Sequence, residues 1–216
     1  MRNLYLNRAI AEAVRLEMEQ DPQIVLLGED TINKGGGMST YMGVPEQFPD
    51  RCFDMPIAES GFTHFATGAA LAGMRPIVDL MFADFSALAF DAIVNAAVKH
   101  RYSTQGKKQL PITYIAANGG RGTYDGVGSG CNHSQCVENW FMNVPGIKIV
   151  APYYPSDALG LLRSSIRDND PVLFLYHLGS LGTRQKVEDV VEPISLVHAA
   201  QILREGTDVT IVALQS

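Results

Sequence analysis

One carboxylate in this chain stands where a charge is costly. Glu59 lies between the proline turn of "FDMPIAES" and "GFTHFATGAALAG", a run of glycine, alanine and apolar side chains. Two readings are open. As an acid in the first turn of a helix, with Ser60 as its cap, Glu59 would simply favour the positive end of the helix dipole. If it is buried without a partner, desolvation penalises its charged form, and a bound group able to share a proton would relieve that penalty. A second reactive cluster is "CNHSQC", with His133, Ser134 and Cys136 at the end of a glycine-rich loop. A serine beside a base suggests hydrolase chemistry, but triads usually assemble across a fold, and no G-x-S-x-G elbow is present. A histidine that only hydrogen-bonds is the plainer reading. "GRGTYDG" has the spacing G-x-G-x-x-x-G and no helix opening on it, so it is a poor dinucleotide fingerprint. Met81, Phe82 and Phe85 end or follow the run "RPIVDLMF" and are either core side chains or a flat apolar wall for an aromatic ligand.

These residues need a scaffold, and apolar periodicity supplies one. Over residues 6 to 20, Leu6, Ala9, Ile10, Ala13, Val14 and Leu16 share a helical stripe, with Glu17 a blemish inside it. The run "IVLLG" (24 to 28) is apolar at successive positions, as in a strand covered on both faces. The alternation continues with strands near 52 to 55, 76 to 81, 111 to 116, 147 to 151 and 172 to 176. Helices are expected at 60 to 73, 84 to 103, 134 to 142 and 156 to 168. Such a pattern predicts an α/β fold, a three-layer αβα sandwich around a mainly parallel sheet. Ligands of these sheets bind beyond the strand carboxyl ends, which places "GEDTINKGGGMST", "MPIAESG" and "NGGRGTYDGVGSGCNHSQ" at the site. The helix at 60 to 73 is so poor in bulk that it implies close approach to another element of the chain, a subunit or a ligand. Residues 1 to 180 are expected to form this domain. Residues 181 to 206 read as a polar linker with a short helix, and 207 to 216 as the first strand of a further domain cut off at its start.

Composition narrows the function. The 216 residues carry 17 Lys+Arg against 23 Asp+Glu, a net charge of -6, without a basic cluster to track a phosphate backbone, so nucleic acid is not an expected partner. No apolar run reaches the roughly 18 residues of a membrane span. The charge-mixed N-terminal segment lacks the marks of a signal or transit peptide, which suggests a cytoplasmic protein. Three cysteines, Cys52, Cys131 and Cys136, suggest free thiols and neither a disulfide framework nor a structural zinc site.

Taken in order, "LLGED", "FDMPIAESGF", "GAALAGMRPIVDLMFADFS", "HSQC", "PGIKIVAP", "SIRDNDPVLFL" and "GTDVTIVA" resemble the beta subunit of the thiamine diphosphate-dependent 2-oxoacid dehydrogenases, the decarboxylating component of the pyruvate, branched-chain and acetoin complexes. The resemblance implies a transketolase-like pyrimidine-binding domain. It makes Glu59 the acid that hydrogen-bonds the aminopyrimidine ring of thiamine diphosphate, with Met81 and Phe85 packed around that ring. His133 becomes an active-site histidine that assists proton transfer or passage of the acyl group to a lipoyl carrier. It further implies a monovalent cation, such as potassium, at Ile112, Ser165, Ile166, Asp168 and Asp170.

The chain contains no Gly-Asp-Gly, the motif that holds the diphosphate and magnesium in thiamine enzymes. The resemblance therefore implies an alpha subunit that supplies this half of the site, a second beta subunit in an alpha2beta2 assembly, and a lipoyl acyltransferase as acceptor. Asn132 replaces the family's usual glutamine before the histidine, and the loop from Asn118 to His133 is longer and richer in glycine than is typical. An acetoin-cleaving or transketolase-like subunit, and a non-catalytic assembly fragment, are the alternatives.

Overall fold

A computed structural model describes residues 1–33, 35–120, 129–197 and 202–214. In chain order the elements are β1 (Arg2–Tyr5), α1 (Leu6–Gln20), β2 (Ile24–Gly28), α2 (Val44–Gln47), β3 (Cys52–Asp54), α3 (Glu59–Leu71), β4 (Arg75–Phe82), α4 (His100–Ser103), β5 (Thr113–Asn118), α5 (Glu138–Phe141), β6 (Lys148–Val150), α6 (Pro155–Arg167), β7 (Val172–His177) and β8 (Arg184–Val187). Six strands form one parallel sheet in the order β3-β2-β4-β5-β7-β6. The expected αβα sandwich is what forms, because both sheet faces are covered. Ile24 and Leu26 of β2 and Phe174 and Tyr176 of β7 join one core with α1 and α6. Val25, Leu27, Leu173 and Leu175 alternate onto the other face with α3.

The blemish in α1 has a tertiary explanation. Glu17 is 2% exposed and accepts Nε of Arg163 at 2.8 Å and Nε of Arg167 at 2.6 Å, both from α6. Charges so buried persist only when paired.

Several local expectations are corrected. Residues 84 to 103 are not one helix: a tight 3-10 segment covers Ala83–Ala87, a widened π turn Ala92–Val98, and only then comes α4. The tight first turn follows the end of β4 directly and carries Phe85. Of the helix expected over 134 to 142, only Glu138–Phe141 is helical; the residues before it are tied to the end of β5, with Gly119 N–H donating to Gln135 O and Val137 N–H to Asn118 Oδ1. Within the stretch read as a polar connector, β8 pairs antiparallel with β1, a ribbon invisible to periodicity because four residues carry too little pattern. The connector's short helix falls partly on residues 198 to 201, outside the described residues. Residues 202–214 hold no strand; they lack a neighbouring strand to bond, and their apolar side chains, Ile211 and Val212 among them, are exposed.

Candidate functional site

The carboxyl edge of the parallel sheet gathers most of the residues singled out above. Glu59 is the first residue of α3 and only 6% exposed. It does not serve as a solvated first-turn acid, and Ser60 does not cap: the N-cap position is Ala58, without a side-chain cap bond, and Ser60 is exposed. Glu59 has no hydrogen-bond or ion partner among the described residues.

Glu29, directly after β2, adds a second acid that motif reading passed over. Its Oε1 is buried without a partner, and burial, followed by the charge of Glu59 and then of Asp30, pushes its carboxyl above the ordinary range. The available signal was its position in "LLGED", at the first loop residue beyond a buried strand. Asp54, at the end of β3, braces this loop by accepting Thr31 Oγ1 at 2.9 Å, Ile32 N–H at 2.7 Å and Asn33 Nδ2 at 2.7 Å.

The apolar wall is assembled from β4 and the turn after it. Phe82 and Phe85 meet edge-on at 6.0 Å between centroids, and the ring of His133 stands against both, 4.7 Å from Phe82 and 5.0 Å from Phe85. His133, Phe82 and Phe85 thus form one three-ring cluster in which each ring meets the other two edge-on. Met81 lies beside the 35 to 43 loop: a Cβ added to Gly37 would sit 3.0 Å from its Cγ. Among the described residues His133 Nδ1 and Ser134 Oγ are both buried and both lack hydrogen-bond partners, so the neighbouring serine and histidine form no nucleophile and base pair with each other. Cys136 is no activated thiolate either, since burial, then Glu138 and Asp84, push its thiol up. "GRGTYDG" lies almost wholly on residues 121 to 128, outside the described residues.

The five residues implied for a monovalent cation cluster at the opposite, amino-terminal edge. Ile112 O accepts Val172 N–H at 3.0 Å, and Ser165 O accepts both Thr113 Oγ1 at 3.0 Å and Asp168 N–H at 3.2 Å. The guanidinium of Arg75 donates to Ile166 O at 2.9 Å and Asp168 O at 2.8 Å. The side chain of Asp168 is paired with Lys148, and that of Asp170 with Arg101. Arg75 thus engages two of the five carbonyls. Among the described residues, no group of three or more His, Cys, Asp or Glu side chains could hold a metal ion.

The small residues of α3 were open to a packing explanation inside the chain, which holds for Ala66 and Ala70, buried in the core, but not for the two glycines. A Cβ on Gly61 would touch only Ala58, and one on Gly68 would meet nothing within 4 Å. Phe65 and Leu71 of the same helix are each 59% exposed.

Comparison with known proteins decides the lineage. The model of the transketolase pyrimidine-binding domain matches residues 3–183. The chain belongs to this family. It is 39% identical to the mitochondrial pyruvate dehydrogenase E1 component subunit beta-1 of Arabidopsis thaliana, over 94% of this chain and 56% of that protein. It is 38% identical to the beta subunit of acetoin:2,6-dichlorophenolindophenol oxidoreductase of Cupriavidus necator, over 98% of this chain and 64% of that protein. The resemblance to dehydrogenase beta subunits thus holds along nearly the whole chain, which spans little more than half the length of these relatives. Among solved structures, the inactive beta4 tetramer of a split-gene transketolase superposes with a TM-score of 0.66 at 20% identity, over 88% of this chain and 56% of that one, a likeness of fold. One expectation is overturned: plant relatives of this pyrimidine-binding domain are mitochondrial, so a charge-mixed first segment does not mark a cytoplasmic protein. No helix among the described residues is long and apolar enough to cross a membrane.

Proposed function

We propose that this chain is the pyrimidine-binding part of the beta subunit of a thiamine diphosphate-dependent 2-oxoacid dehydrogenase, which decarboxylates a 2-oxoacid and passes the acyl group to a lipoyl carrier. The observation that carries this reading is Glu59, 6% exposed at the sheet's carboxyl edge within the field of Glu29 and without a hydrogen-bond or ion partner among the described residues. That edge also holds a wall of Phe82, Phe85 and His133.

The residues present fit an aminopyrimidine. Glu59 would hydrogen-bond a ring nitrogen, with Glu29, its own carboxyl raised by burial and by the charge of Glu59, close by. Met81 and Phe85 would pack the ring and exclude water, and the free Nδ1 of His133 would give or take a proton at the reacting carbon side. Thiamine diphosphate, when bound, supplies the electron sink that lets a 2-oxoacid lose carbon dioxide.

The diphosphate and magnesium have no binding motif in this chain, so an alpha subunit is their proposed holder. The open outer face of α3 is a surface where a neighbouring subunit could approach closely, within an assembly of two alpha and two beta chains. Residues 1 to 180 are proposed as the domain that does this work, 181 to 206 as a linker, and 207 to 216 as the start of a further domain. A potassium ion is proposed at Ile112, Ser165, Ile166, Asp168 and Asp170, on carbonyl lone pairs that Arg75 and the backbone leave open. Equal melting temperatures in potassium and choline buffers would remove it.

The test is reconstitution with the alpha chain. Glu59→Gln is expected to abolish decarboxylation while leaving assembly intact, and near-normal turnover in that variant refutes the assignment. A second reading, acetoin cleavage, is favoured by the equal likeness to the Cupriavidus necator subunit. A panel of 2-oxoacids, acetoin and sugar phosphates separates the two and also tests a transketolase-like reaction.

A further inference from the structure

Asp79 is a buried acid to which the proposed chemistry gives no task. It sits inside β4, 2% exposed, paired in register with Gly28 of β2 and Ile115 of β5. Its surroundings leave it no alternative position: a Cβ on Gly28 would lie 2.6 Å from Asp79 O and 2.8 Å from Asp79 Cβ, so the two strands press together here.

Just beyond, the ladder slips. Asp79 pairs with Ile115 but Phe82 pairs with Ala117, so β4 carries one extra residue across this interval, a β-bulge. Within it Met81 has φ +60, in the left-handed region that a long side chain rarely adopts. Its amide, taken out of the ladder by the slip, donates to Asp79 Oδ1 at 2.9 Å. The bulge re-aims the end of the strand, setting Met81 against Gly37 and Phe82 edge-on to His133.

We propose that Asp79 is a positioning residue of the cofactor site: its carboxyl fastens the bulge through the Met81 amide and thereby holds Met81 and Phe82 in the orientation that lines the pyrimidine side. The proposal rests on the reading of Met81 as a cofactor contact. Burial pushes the Asp79 carboxyl up to about 7, with Glu29 nearby and the hydroxyls of Tyr41 and Tyr176 within its field. The bond needs only an acceptor oxygen, so an amide in place of the acid preserves it.

The assembled enzyme, with its alpha partner, provides the test. Asp79→Leu removes the acceptor at similar volume, whereas Asp79→Asn keeps it. Two readouts are taken: the methyl resonance of Met81 in protein labelled with 13C-methyl methionine, and the affinity for thiamine diphosphate with magnesium. Asp79→Leu is expected to shift the Met81 methyl and weaken cofactor binding roughly tenfold or more, the scale of one lost buried hydrogen bond, with Asp79→Asn close to the unaltered protein in both.

An unmoved Met81 methyl in Asp79→Leu overturns the positioning role. A moved methyl with unchanged affinity overturns the reading of Met81 as a cofactor contact, and the proposal with it. If Asp79→Leu does not fold, hydrogen exchange in the unaltered protein decides: the Met81 amide must be protected, and exchange at the rate of an open loop amide overturns the proposal.

Discussion

Between pH 5 and 8, Asp79 should leave a signature in the stability of the protein that no paired acid leaves. Burial raises its carboxyl from 3.8 to about 7 in the folded state. From about pH 5 to about 7 the native chain therefore holds a proton at Asp79 that the unfolded chain has released. Because the unfolded state binds fewer protons, unfolding free energy falls as pH rises through the window and levels off above about 7. The contribution is fully present below pH 3.8 and lost by about 7. At roughly 1.4 kcal/mol per pH unit, the whole displacement amounts to about 4 kcal/mol as an upper bound, of which about 3 kcal/mol falls between pH 5 and 7. Asp79→Asn removes the titration while keeping an acceptor for the Met81 amide. The assay is urea unfolding of the intact protein at half-unit steps from pH 5 to 8, for both forms. The difference between their curves isolates Asp79 from Glu29, whose raised carboxyl acts in the same direction. The variant should gain on the unaltered protein by about 1.4 kcal/mol per unit up to pH 7 and hold a constant lead beyond it. Parallel curves across this range would refute the claim that burial keeps this acid neutral.

Other expectations concern the scaffold. Glu17→Gln leaves Arg163 buried beside a neutral partner and should cost about 3–5 kcal/mol in urea unfolding, whereas replacing Glu17, Arg163 and Arg167 together with apolar residues of similar volume should cost little; equal losses in the two would contradict the account of the α1 and α6 contact. Gly28→Ala drives a methyl into the backbone oxygen of Asp79 and should cost about 1–3 kcal/mol, with cofactor affinity falling as β2 and β4 part; a melting temperature unchanged by the substitution would show that the strands can yield.

How much was legible beforehand depended on the range of each signal. The β2 strand was readable because five successive apolar residues need two covered faces, and α1 because its stripe repeats over four turns. The β1 and β8 ribbon was not: each strand has four residues, and they pair across the length of the domain. The single helix expected over 84 to 103 failed for a related reason, since apolar spacing does not distinguish a 3-10 turn and a π turn from continuous α-helix.

By itself the sequence determined the αβα order and the family, because spacing and motif are local properties of the chain, and through the family resemblance it singled out Glu59, Met81, Phe85 and His133 as the proposed site residues. Tertiary structure alone decided that Glu59 is buried instead of standing as a solvated first-turn acid, that Glu29 stands within its field, and that Glu17 finds its partner 146 residues away in Arg163. It also decided that Gly68 of α3 faces open space and that the Met81 amide in the β4 bulge donates to Asp79. Burial and pairing are relations between distant segments, and their energies exist only once the sheet has brought those segments together.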